Sequence, residues 1–379
     1  MDTQQGISGW FWAFVHCQRH GAFQSQSLHL FPILMNSRRY LLWFFGVTGA
    51  LVTAAIAFNA LADAYILRHR AGASVQLVSG FERVLKPAWL ASLKPSMVFI
   101  GSSRARIAFD PTLVDPAFGV RSFNYGVSSA SAYETRRYIQ DVAHQPFVKT
   151  IVVALDAFTS GSAAQPYGGG FDELRLSVTA AGAPTPRRDL WLFAARYLSG
   201  GALGMHGLGV WLLAQLAPGE LAADRPDVFP EYGHMTPAKF THELTRRAER
   251  TMRMTGWQRV QLGKSLAALC SSSAQIYFYF PPDNMALIAH YRANDPQGFS
   301  AFKHAVQADV ARHNAVCSNK VRLFDFMNEN SITRDDAAAH GRTSPYYLDP
   351  IHIRPPTGML LLQQMLRGHG AIGTEVKTQ

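Results

Sequence analysis

The stretch VFIGSSRARIAFDP (residues 98–111) contains a short apolar run that ends abruptly at Gly101-Ser102-Ser103 and gives way to an arginine-rich segment. Such a run bounded by a glycine reads as a buried strand, and the segment after it as a helix. Either serine could be a nucleophile on the turn leaving the strand, or simply the polar cap of the following helix. The same rhythm recurs downstream. Apolar, β-rich runs fall at 97–101, 122–127, 150–155, 275–280 and 321–326. Helical patterns lie between them at 132–144 and at 299–316, where Phe302, Val306 and Val310 recur every four residues. Near-continuous apolar strands alternating with helices imply a parallel sheet covered on both faces, an α/β three-layer domain from about residue 75 to the C-terminus.

One segment breaks this alternation. Residues 159–259 contain Gly168-Gly169-Gly170, many prolines and two apolar helical stretches at 190–198 and 203–216. A gap of about one hundred residues between neighbouring strands marks an insertion. The second stretch is glycine-rich and short for a membrane crossing, so the insertion reads as a cap over the carboxyl edge of the sheet. The expected organisation is therefore a first part of the domain at 75–158, the cap at 159–259 and a second part at 260–379.

Upstream, residues 40–62 read YLLWFFGVTGALVTAAIAFNALA, with no charge and only Thr48, Thr53 and Asn59 as polar interruptions. About 20 apolar residues suffice to span a bilayer. Arg38 and Arg39 precede the run and Asp63 follows it, which predicts an N-terminus in the cytoplasm and the rest outside. A cleaved signal peptide is the alternative, for which the apolar core is long and FNALADA an imperfect cleavage site. Residues 1–39 form a cytoplasmic tail, of which 1–34 is either a mobile extension or a mis-assigned start, since Met35 opens a sensible anchor sequence of its own.

The chain of 379 residues is 48% hydrophobic and carries a formal charge of +10. Its basic residues are scattered in pairs such as Arg136-Arg137 and Arg246-Arg247. A nucleic-acid binder gathers them on one face, so nucleic acid is not an expected partner; a membrane surface or an acidic polymer suits the charge as well. There is no CxxC among the three cysteines. Cys270 and Cys317 each close a helix just before a strand, so they either bridge, in a compartment where disulfides persist, or remain buried thiols.

Ligands of parallel sheets bind beyond the strands' carboxyl ends. Ser102 and Ser103 leave the first strand, Asn124 to Ser128 end the second, Asp156 leaves the third and Asp283 the fourth. Before the final helix stands YYLDPIHIRPPTG, which holds Asp349-x-x-His352. Imidazole can take a serine proton near neutrality, and a carboxylate on the same turn can orient the ring. A second DxxH, Asp141 to His144, falls at the opposite edge of the sheet and is set aside.

These blocks resemble the SGNH hydrolase superfamily, often called GDSL-like, in a membrane-anchored branch related to bacterial polymer acyl-modifying enzymes. The similarity covers about residues 95–160 and 270–365. It implies a flavodoxin-like α/β/α fold, Ser103 as nucleophile with Ser102 in place of the family aspartate, Gly126 as an oxyanion-hole residue, and Asp349 and His352 as the remaining catalytic pair. The third block departs from the family pattern: VVALDAF places Asp156 near the position of an asparagine that donates to the oxyanion. A carboxylate cannot donate. Asp156 points elsewhere, or Asn124 substitutes, or the protein is slow or inactive.

The resemblance implies a serine esterase or O-acyltransferase acting on acylated carbohydrate, envelope polymer or lipid. It would sit in a bacterial inner membrane as a single-pass protein with its catalytic domain on the periplasmic side. A membrane-bound acyl-transfer partner fits, and no cofactor or metal is required. The alternative is a catalytically impaired binding or assembly subunit of an envelope-polysaccharide or acyl-transfer complex.

Overall fold

The computed structural model describes residues 37–68, 82–83, 86–87, 89–91, 93–185, 237–248 and 252–378. The N-terminal tail before Ser37 and the apolar stretches at 190–198 and 203–216 lie outside the described residues. The chain divides into two compact units, Met1–Leu51 and Val52–Gln379. The described part of the first is helical and belongs to α1 (Ser37–Arg68). Within α1, Ser37–Ala57 is long and apolar enough to cross a membrane. It begins three residues before the stretch chosen from hydropathy because the helix includes Ser37 and both arginines. Leu42, Trp43 and Phe45 on it are exposed, as a lipid-facing helix requires.

The second unit is built on a six-stranded sheet ordered β2-β1-β3-β4-β5-β6. The strands are β1 (Met97–Gly101), β2 (Ser122–Gly126), β3 (Thr150–Ala154), β4 (Gln275–Phe280), β5 (Val321–Asp325) and β6 (Thr374–Val376). The first five are parallel; β6 pairs antiparallel with β5 and was not expected from the sequence. Its three polar-flanked residues are too short to show a period.

Strand side chains alternate between two cores, as the period of two demands. Val98, Ile100, Ile151, Val153, Ile276, Phe278 and Leu323 face one core, which includes Tyr138 and Val142 of α4 (Ala132–Ala143), Leu262 and Leu266 of α6 (Gly256–Leu269), and Val306 of α8 (Pro296–Val316). Phe99, Val152, Tyr277, Tyr279 and Phe324 face the other, with Ala105 of α2 (Ser103–Ala108), Val114 of α3 (Pro111–Phe118) and Leu361 of α9 (Pro355–Arg367). Both faces are thus covered.

Helix starts follow local chemistry. Capping boxes at Ser131/Glu134 and Thr255/Gln258 open α4 and α6, while Asp110 and Asp295 cap α3 and α8 with proline in the first turn. Two further helices are α5 (Pro237–Ala248) and α7 (Met285–Asn294), which pack together. Cys270 and Cys317, the C-caps of α6 and α8, form a disulfide with Cα atoms 5.2 Å apart. It lies at the amino edge of β4 and β5, away from the strand ends that hold the site.

Candidate active site

The order β2-β1-β3 reverses direction at β1, and a crevice opens there between the loops leaving β1 and β3. Gly101 ends β1 at φ 154°, a conformation L side chains rarely adopt, and a Cβ there would meet the Ala154 Cβ at 2.7 Å. Glycine therefore lets β3 close on β1 just before the serines. Ser102 caps α2 by accepting the Arg104 N–H at 3.2 Å, which leaves Ser103 as the first helical residue with its hydroxyl facing the crevice.

The histidine arrives on a tightly folded loop. Leu348 N–H donates to His352 O at 2.8 Å, Arg354 N–H to Tyr346 O at 2.8 Å, and Tyr347 bridges Ile353. Asp349 Oδ1 accepts the N–H groups of Ile351 and His352 at 2.8 and 2.9 Å, closing a turn within this hairpin. Asn284, leaving β4, donates its N–H to Pro350 O at 2.9 Å and so ties the loop to the sheet.

The result brings three expected residues together. Ser103 Oγ lies 2.8 Å from His352 Nε2, and His352 Nδ1 lies 2.6 Å from Asp349 Oδ2. An ionised carboxylate only accepts, so Nδ1 carries the ring proton and Nε2 offers its lone pair to the serine. Asp349 and His352 are both buried. Burial works against the charge on Asp349, but the hydrogen bond and charge of His352, the Ile351 N–H and Arg247 hold its carboxyl down at about 2.

The other expected residues stand differently. Asn124 Nδ2 donates to the carbonyls of Ala105, Arg106 and Phe109 at 3.1, 2.8 and 2.6 Å, closing the C-terminal end of α2. Its Oδ1 accepts the Gly126 N–H at 2.9 Å. Neither residue lines the cavity around Ser103. The oxyanion roles expected for Gly126 and Asn124 are therefore corrected: their donors are committed within the fold. Gly126 is glycine because a Cβ would meet Arg106 N at 2.5 Å.

Asp156 does reach the cavity. It accepts a hydrogen bond from Ser102 Oγ and lies 3.8 Å from Arg104 Nε. Arg104 in turn grips Asp283 at 2.8 and 3.2 Å. Burial pushes the Asp283 carboxyl up to about 6 against the pull of Arg104, while Arg104, despite its own burial, is raised by Asp283 and Asp156. Of the two contacts, Arg104 Nη2 donates to Asp283 Oδ2 at 3.2 Å, and the Nη1–Oδ1 approach at 2.8 Å is ionic. Arg104 is a structural cation between two carboxylates. The discarded Asp141 accepts from Ser177 N–H at 2.7 Å and Tyr125 Oη at 3.2 Å, a structural role far from Ser103 in the chain's layout.

The cavity, of about 670 Å³, also exposes Ser128, Ser129, Thr159, Ser160, Arg246 and Arg247. Arg246 and Arg247, which no motif singles out as site residues, come from α5 inside the inserted segment. Ser128 N–H is held by Glu82 Oε2 at 2.7 Å, and Ser129 turns the chain at φ 54°. Among the described residues, no group of three or more His, Cys, Asp or Glu side chains could hold a metal ion. No protein-family model matches the chain, and a search of curated proteins finds no relative.

Proposed function

We propose that the protein is a serine esterase or O-acyltransferase of SGNH type, anchored by α1 and working outside the cytoplasm on acylated glycan, envelope polymer or lipid. The observation that carries this reading is the relay Ser103 Oγ, His352 Nε2, His352 Nδ1, Asp349 Oδ2, with contacts of 2.8 and 2.6 Å. Ser103 passes its proton to Nε2 as Oγ attacks the ester carbonyl. The tetrahedral intermediate collapses, and the departing alkoxide takes the proton from Nε2. Water or a sugar hydroxyl then gives its proton to Nε2 and attacks the acyl-serine, and Ser103 Oγ leaves with that proton. Asp349 fixes the tautomer and stabilises the imidazolium.

The Ser103 N–H, first in α2 and without an intrahelical acceptor, is one oxyanion donor. The Ser129 N–H, beside the cavity, supplies the second in this reading. The carboxylate at Asp156 provides none, and losing one donor costs about 10²- to 10³-fold in rate; its charge is countered by Ser102 and Arg104. That deficit favours the second reading, an impaired subunit that binds acylated polymer. The disulfide and the two arginines in the first turn of α1 support placing the domain in an oxidising compartment beyond a bacterial inner membrane.

A fluorophosphonate probe applied to the full chain tests the choice. Labelling of the wild type that disappears in Ser103→Ala is the expected outcome. A folded wild type that resists the probe would leave only the binding reading.

A further inference from the structure

The Ser103–His352–Asp349 relay lies within the segments whose motifs are legible, but a side chain from the insertion touches it. Arg247 of α5 places Nη2 3.8 Å from Asp349 Oδ2, the same oxygen that faces His352 Nδ1. Its Nε lies 3.1 Å from Glu243 Oε2, one turn earlier on α5, and its side chain is only 10% exposed. The helix is seated by Phe240, which is buried, and by packing on α7 and on the turn Ala337–His340.

We propose that Arg247 is a positioning residue that holds Asp349 for the relay and sets the pH range in which His352 can accept the serine proton. This rests on the serine chemistry proposed above. A carboxylate alone stabilises a protonated imidazole; a guanidinium sharing the same oxygen takes part of that stabilisation away. With Arg247 in place, Asp349 Oδ2 is shared between a guanidinium and the imidazole instead of being committed to the ring alone. Among the described residues, the other charged groups facing the relay are Glu243 and Arg246 from α5, Arg104 from α2, Asp156 after β3, Asp283 after β4, and Asp335 and Arg354, which share a second small cavity with Asp349. Arg104 is spent on its two carboxylates, and Arg246 on Glu243. Among the described residues, Arg247 is the lysine or arginine within 4 Å of Asp349.

The reading couples the insertion to the chemistry. A cap that only selected substrate would leave the serine's reactivity toward a small probe unchanged.

The test is the rate of fluorophosphonate inactivation of the full chain from about pH 5 to pH 9, across the range where imidazole titrates. In Arg247→Gln the midpoint of the acid limb rises by about half to one pH unit, so labelling below it falls about 3- to 10-fold relative to the alkaline plateau. Arg247→Lys returns the midpoint toward the wild type. Glu243→Gln, which removes the carboxylate competing for Arg247, moves it the other way, and it carries the test should Arg247→Gln not fold. An unmoved midpoint in Arg247→Gln overturns the proposal, as does an upward shift in Glu243→Gln. A folded wild type that the probe does not label defeats the serine chemistry itself, a result distinct from either.

Discussion

Asp349→Asn separates charge from shape at the relay. The asparagine oxygen can keep the two backbone N–H groups of Ile351 and His352 that Asp349 Oδ1 accepts at 2.8 and 2.9 Å. Its amide nitrogen must then occupy the position of Oδ2, 2.6 Å from His352 Nδ1. Two donors cannot face each other, so the ring turns to the other tautomer, with its proton on Nε2. It then donates to Ser103 instead of accepting from it, and the base is lost although every heavy atom stays in place. A tautomer trap of this kind costs about 10⁴-fold in rate, or about 5.5 kcal/mol of transition-state stabilisation. The assay is the second-order rate of fluorophosphonate inactivation, with circular dichroism to show that the fold is kept. The same carboxylate has a stability signature. Its value is depressed from 3.8 to about 2, so its contribution, about 2 kcal/mol, is present above the ordinary carboxylate range and lost as pH falls toward 2. Denaturant titrations should show that part of the acid destabilisation missing from Asp349→Asn. If the variant labels within tenfold of the wild type, the assigned tautomer and the role of Asp349 are wrong.

Replacing Arg104 by Met should destabilise the domain by about 3–5 kcal/mol, because Asp283 is left as a buried, unpaired carboxylate; denaturant midpoints measure this. Cys270→Ser removes a bridge closing 47 residues of chain, worth up to about 4 kcal/mol by chain entropy. The melting temperature should fall, while labelling of Ser103 at 25 °C persists because the bridge lies at the opposite edge of the sheet. Gly126→Ala forces a Cβ against the backbone of Arg106 and should cost about 1–3 kcal/mol, read as a shift in thermal unfolding. A variant as stable as the wild type would show that α2 can yield there.

The fold was legible where the chemistry of the chain is periodic. The five parallel strands are continuous apolar runs because both faces of the sheet are buried, and each strand begins where the sequence places it. The ends of β2, β3 and β5 fall one residue early, at Gly126, Ala154 and Asp325, where the chain leaves the sheet toward the crevice loops. Ser103, Asp349 and His352 were legible because residue type and position at strand ends narrow the choice together. Gly126 and Asn124 were misjudged because sequence order places a residue near a strand end without saying which way its donor points. Here Asn124 spends its amide on carbonyls of α2 and of Phe109, which caps it. Arg247 had no readable signal: its partner Asp349 is distant in sequence, and the pair Arg246-Arg247 looks like any solvated basic patch. The buried Arg104 cluster was hidden for the same reason, since charge pairing across strands leaves no local pattern.

Ser103 and His352 meet across 249 residues of chain. One stands just past the first strand of the domain, at the start of α2, the other on the loop before its last helix. In a chain made from its N-terminus onward, the hydroxyl is present long before the imidazole that activates it. The intervening strands must assemble, and α6 and α8 must take up their places, before the hairpin around His352 has a sheet to dock on. Under the serine chemistry proposed above, a stalled, truncated or proteolysed chain carries an inert alcohol, and reactivity is acquired only as the last step of assembly.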